Sequence, residues 1–172
     1  IACLGYMKPM SEEKTRIYLS ASISNAHNNA FLAEQFDTES FEFYLPQLIV
    51  PEKLNHEQFP VHVFQQCLEM MTASDFGLVL FDAFGRDCAW ECGWYAGRPD
   101  KPLFGFVESS SIFMRDWMVK GGLDGLVTTN ARMYEVFQTN PLLQSKALSL
   151  IESPTDLPDA LLRLLGDWRS QA

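Results

Sequence analysis

An α/β fold built on a parallel sheet is the class this sequence predicts, and three observations carry it. Short apolar runs alternate with stretches of helical periodicity along the chain, and turn-forming residues punctuate the junctions. The run Phe76 to Phe81 holds no polar side chain, as expected of a strand covered on both faces, and is far too short to span a membrane. At 172 residues and 47% hydrophobic composition, the chain can bury one core of ordinary size.

In order, Arg16 to Ala21 reads as the first strand and Ser24 to Phe36 as the first helix, with Ser24 or Asn25 at its cap. Phe41 to Leu45 is the second strand, closed by Pro46. Glu57 to Thr72 spaces Phe59, Val63, Phe64, Cys67, Leu68 and Met71 as a helix does, and Pro60 is tolerated there only in the first turn. Asp82, Gly85 and Asp87 mark the turn after the third strand; Ala89 to Gly97 is the next helix and Lys101 to Val107 the fourth strand. Ser109 to Val119 reads as a helix, Gly121, Gly122 and Gly125 as a turn, and Met133 to Phe137 as the fifth strand. Leu157 to Trp168, with Pro158 near its start, closes the fold as an amphipathic helix.

Five strands separated by helices predict the flavodoxin-like order 2-1-3-4-5, with helices on both faces and the switch point between the first and third strands. Residues 1 to 15 read as an irregular or expression-derived leader, with Met10 as a natural start, and residues 16 to 172 as a single domain. The polar stretch Gln47 to His56 reads as a rim or lid.

A net charge of −9 without any basic stripe excludes duplex nucleic acid as a partner, since that binding needs clustered Lys and Arg. A small molecule with one phosphate stays compatible, because amides and hydroxyls at a helix start can hold it. With no spanning segment, no membrane partner is expected and a cytoplasmic location is the default. Cys3, Cys67, Cys88 and Cys92 lack the spacing of a disulfide framework and read as reduced thiols. Cys88 and Cys92 share a helix face, but no His lies near them, so buried small side chains are favoured over metal ligands. Neither GxxxxGK[ST] nor GxGxxG occurs, and no cofactor is expected.

Chemistry in such folds gathers at the carboxyl ends of strands, which directs attention to Asp82, Asp87 and Glu91. Glu91, placed in a first helical turn, is expected to be held ionised by the helix amides, as a nucleophile or cation stabiliser; the alternative is an ordinary first-turn acid. Asp87 reads as a helix cap or as a second acid, and paired carboxylates suit glycosidic chemistry. Tyr18 is either core or an orienting hydroxyl for Glu91. Ser20 and Ser22 offer hydroxyls to a ligand, and Gln47 either reads a base edge or is solvated.

The pieces RIYLSAS at 16 to 22, FYLPQ at 43 to 47, ASDFGLVLFD at 73 to 82 and DCAWECGWYAGRPDKP at 87 to 102 together resemble the nucleoside 2-deoxyribosyltransferase family, including relatives that hydrolyse nucleoside monophosphates. The resemblance implies cleavage of an N-glycosidic bond, with transfer of the sugar to another base or to water. It assigns Tyr18, Asp75, Asp87 and Glu91 to catalysis. It further implies a homo-oligomer in which the Gly121 to Met133 region, Asn130 included, contributes to a neighbour's site. Where the family reads DxGTAxE, only three residues separate Asp87 from Glu91. A nucleotide-sensing module that keeps the pocket without the reaction is the alternative expectation.

Overall fold

The computed structural model describes residues 14–49, 55–109 and 115–171. Its strands are β1 (Thr15–Ser20), β2 (Phe41–Tyr44), β3 (Phe76–Leu80), β4 (Leu103–Phe106), β5 (Gly125–Thr128) and β6 (Ala147–Leu150), joined into one all-parallel sheet. The order is β2-β1-β3-β4-β5-β6, so the expected 2-1-3-4-5 arrangement holds and a sixth strand extends it. The helices are α1 (Ala26–Ala33), α2 (Gln58–Ala73), α3 (Arg86–Ala96), α4 (Trp117–Gly122), α5 (Ala131–Thr139) and α6 (Leu157–Gln171).

Alternation along the strands sorts the core into two layers. Ile17 and Leu19 of β1, with Phe76, Leu78, Phe104 and Val127, bury against Leu32 of α1 and Leu157, Leu161 and Leu164 of α6. Tyr18, Val79, Leu103 and Leu126 face the other way, toward Met71 of α2, Cys88, Cys92 and Tyr95 of α3, and Phe137 of α5. The side of β1 that carries Tyr18 therefore also carries Ser20, two residues on, and both are fully buried.

Two expectations in the carboxyl-terminal third are corrected. Met133 to Phe137 belongs to α5 and is not a strand: Asn130 caps that helix by accepting from the Met133 amide at 3.2 Å. Met133 and Phe137 sit four apart, a spacing that a helix uses as readily as a strand over so short a run. The true fifth strand begins at Gly125, within the stretch read as a glycine turn. A Cβ on Gly125 would approach the Ala147 carbonyl at 3.1 Å and Leu164 at 3.2 Å, so this glycine marks the close packing of β6 and α6 on the strand. β6 is a short, partly exposed edge strand whose burial gives it little apolar signature.

Of the expected helix over 109 to 119, residues 110 to 114 and the polar stretch at 50 to 54 lie outside the described residues, as does the leader up to residue 13. α4 covers only the end of that expected span. In α2, Pro60 falls in the first turn as its chemistry requires, and Asn55 accepts from the amides of Glu57 and Gln58 just ahead of the helix. Among the described residues, no helix is long and apolar enough to cross a membrane.

Candidate active site

The reversal of strand order lies between β1 and β3, where the connections leaving their carboxyl ends diverge to opposite faces of the sheet and open a crevice. α3 begins at Arg86, three residues earlier than its periodicity indicates, which puts Glu91 in the second turn and not the first. From there its side chain reaches down to β1. The Tyr18 hydroxyl donates to Glu91 Oε1 at 2.6 Å and the Ser20 hydroxyl donates to Oε2 at 2.6 Å. Both carboxylate oxygens are thus held by neutral donors, and the residue is 8% exposed.

This environment reverses the electrostatic expectation. Burial raises the Glu91 pKa above the ordinary carboxyl value of 4.5, and the Asp87 charge pushes the same way. The Ser20 and Tyr18 hydrogen bonds oppose the shift without cancelling it. Beyond the first turn the helix amides no longer supply much positive potential. The Tyr18 phenol is driven upward by burial and by the Glu91 charge, so it keeps its proton and acts as the donor.

Above Glu91 lies an open cavity of about 840 Å³ whose walls come from the β1 exit, α2 and the start of α3. Its lining is dominated by Phe59, Val63, Phe64, Met71 and Trp90, with Ser22, Ser24 and Asp87 as polar points. Phe64 and Trp90 meet edge to face with ring centroids 5.7 Å apart, and each is about half exposed, 52% and 50%. A pair of aromatic rings left half in water beside a buried carboxylate forms a surface suited to a planar, amphipathic ligand. The thiols of Cys67 and Cys88 line the same space, and burial pushes both upward, which keeps them neutral. Cys67, Cys88 and Cys92 are free, and no group of three or more candidate metal ligands occurs among the described residues.

The other sequence-derived candidates divide sharply. Ser20 belongs to the site as a partner of Glu91, not as a contact for a ligand. Asp87 is an exposed first-turn residue on the cavity rim and does not cap α3; Gly85 occupies the cap position. Ser22 lines the cavity, and its amide donates to the Ala83 carbonyl at 2.7 Å, which ties the β1 exit to the β3 exit.

Asp75 is not near Glu91. It takes hydrogen bonds from the Arg16 amide at 2.7 Å and the Arg16 Nε at 3.4 Å, with Arg169 of α6 at 3.9 Å. Arg16 stands four residues before Ser20, roughly 13 Å down the strand at about 3.3 Å per residue, so Asp75 serves the amino end of the sheet. Asp82 accepts from the amides of Glu108 and Ser109 at 2.6 and 2.9 Å and from the Ser109 hydroxyl, and so fastens the loop after β4. Asn130 is spent on its cap and on donating to the Glu108 carbonyl at 3.0 Å.

Gln47 is likewise turned to internal work. Its amide nitrogen donates to the Ala26 carbonyl at 3.1 Å, and its oxygen accepts from Asn29 at 3.0 Å. Asn29, buried to 1% exposure, also donates to the Ser22 carbonyl at 3.1 Å. The role of Asn29 is to brace the loop that forms one cavity wall. The signal for it, an Asn one turn into an apolar helix face, is too common to single out.

No protein-family model matches this chain, and no curated protein sequence does. The chemical character of the site rests on the Tyr18, Ser20 and Glu91 constellation and the cavity over it.

Proposed function

We propose that the protein cleaves the N-glycosidic bond of a nucleoside or nucleoside monophosphate at the cavity over Glu91, passing the sugar to another base or to water. One observation carries this reading: a buried carboxylate, gripped at both oxygens by hydroxyls, faces an open, aromatic-walled cavity. The hydroxyls fix the direction of the carboxylate, while burial strips it of water and makes its ionised form a strong base and nucleophile. In this scheme Glu91 attacks or stabilises the anomeric carbon, Tyr18 and Ser20 orient it, and the aromatic wall stacks the base. The resemblance in residues 16 to 102 points to the same chemistry.

A second reading, a nucleotide-binding module without turnover, is favoured by the separation of the acids: of Asp75, Asp82, Asp87 and Glu91, only the last two line the cavity. Under either reading a homo-oligomer covers the open side of the cavity, and the free thiols suit a reducing, cytoplasmic setting.

The test is to incubate the protein with ribo- and deoxyribonucleosides and their monophosphates, with and without a second base, and to follow free base by chromatography. Release or exchange that disappears in Glu91→Gln supports the enzyme. Release that persists in that variant sinks the assignment, and saturable binding without release by the wild type selects the binding module.

A further inference from the structure

Among the described residues, the cavity has a carboxylate placed for attack but no second buried acid placed to protonate a departing base. Asp75 is at the far end of the sheet in contact with Arg16 and Arg169, and Asp82 is consumed by the loop after β4. Asp87 remains, exposed on the rim. The charged groups lining the cavity among the described residues are the carboxylates of Asp87 and Glu91 against the single guanidinium of Arg86, which sits in the exposed first turn of α3. Within a chain of net charge −9, this is a setting that gathers cations. Phe64 and Trp90 add half-exposed rings, whose faces attract positive charge.

We propose that the preferred substrate class is an N-glycoside whose base already carries a positive charge, such as an N-ribosylated pyridinium or a ring-methylated purine nucleoside. The inference rests on the N-glycosidic reading of the site and deepens it. In the reaction, a Glu91 oxygen forms a bond to the anomeric carbon as the carbon–nitrogen bond breaks. The bonding pair stays on the ring nitrogen and neutralises its charge, so the base departs without taking a proton. Water, losing its proton to solvent, or the ring nitrogen of a second base then displaces Glu91 from the sugar. One carboxylate suffices for each bond change, and no proton donor to the base is required.

The experiment compares 7-methylguanosine with guanosine, and N-ribosylnicotinamide with uridine, each also in its deoxy form, with free base followed by chromatography. The cationic members are expected to show kcat/KM larger by about 100-fold or more, the size of a general-acid contribution that neutral substrates would miss. That release is expected to vanish in Glu91→Gln. Asp87→Asn should raise KM for the cationic members several-fold. Equal or faster cleavage of the neutral members overturns this inference while leaving the N-glycosidic reading standing. So does a fall in kcat confined to neutral members in Asp87→Asn, which would make Asp87 the proton donor. Release of base from no member of either group overturns both.

Discussion

Two carboxylates at opposite ends of the sheet show how the same functional group is put to different uses. Asp75, at the amino end, is partly exposed and met by the Arg16 amide and by the guanidinium groups of Arg16 and Arg169. Its charge is answered by charge, and it ties α6 to β1. Glu91, at the carboxyl end, is buried and, among the described residues, met by the neutral hydroxyls of Tyr18 and Ser20. Its charge is hydrogen-bonded but not neutralised. The difference teaches where stability and reactivity are separated in this fold: an ion pair with its partners in place has no reason to react, whereas a desolvated, hydrogen-bonded carboxylate under an open cavity does.

The largest effect that would test this contrast is on Glu91. Glu91→Gln keeps the size but offers one acceptor where the carboxylate offers two, so one of the two hydroxyls must turn to accept from the new amide N–H; it is expected to lower kcat by about 1000-fold or more in a base-release assay. The same substitution should remove the Glu91 part of the fall in stability with rising pH, as read by denaturant unfolding across pH. The sign follows from the raised pKa: the native state binds the Glu91 proton more tightly than the unfolded chain does. Its contribution to stability is therefore fully present below the unfolded value and is lost as pH rises through the folded one; the neutral amide never incurs that loss. Wild-type unfolding that shows the opposite pH trend, once other groups are subtracted with the variant, would break the contrast.

Tyr18→Phe ranks next, removing one of the two donors to a buried carboxylate. We expect kcat to fall by about 10- to 100-fold and stability by about 1–3 kcal/mol. Because the Tyr18 hydrogen bond lowers the Glu91 pKa, its loss should move the acidic limb of the pH–rate profile to higher pH. An unshifted limb would show that Glu91 is not the group titrating in the rate.

Gly77→Ala addresses the support behind Tyr18. A Cβ there would lie 2.6 Å from the Tyr95 ring, which packs against Tyr18 at 6.3 Å between centroids and shares a 2.8 Å hydrogen bond with Ser74. Overpacking is expected to cost about 1–3 kcal/mol in denaturant unfolding, with a loss of activity smaller than that of Tyr18→Phe. The smallest change belongs to Asp75→Asn, which should destabilise the fold by about 1 kcal/mol and leave kcat/KM within about two-fold. A large loss of activity with an intact fold would return Asp75 to the site.

The sequence made the first half of the molecule legible because β3 and β4 are continuous apolar runs and α2 carries clear helical spacing. β1, β2, β3 and β4 fall within a residue or two of where those patterns place them. Beyond residue 120, Gly125 at the head of GLVT was taken for part of a turn and MYEVF for a strand. Asn130, three residues before Met133, was the overlooked sign of a helix start.

For the site, residue type and order along the chain identified Glu91 and Tyr18, and strand alternation implies that Ser20 shares the face of Tyr18. By itself the sequence determined a parallel α/β sheet and a Glu after its third strand. Only the tertiary structure decided that this Glu is buried and bound by two hydroxyls, that its proton is held more tightly than usual, and that Asp75, Asp82, Asn130 and Gln47 serve the scaffold. The physical reason is that periodicity records which face a side chain takes. The level at which it stands along the sheet, its burial and its partners are set by register between segments up to 73 residues apart, as for Tyr18 and Glu91.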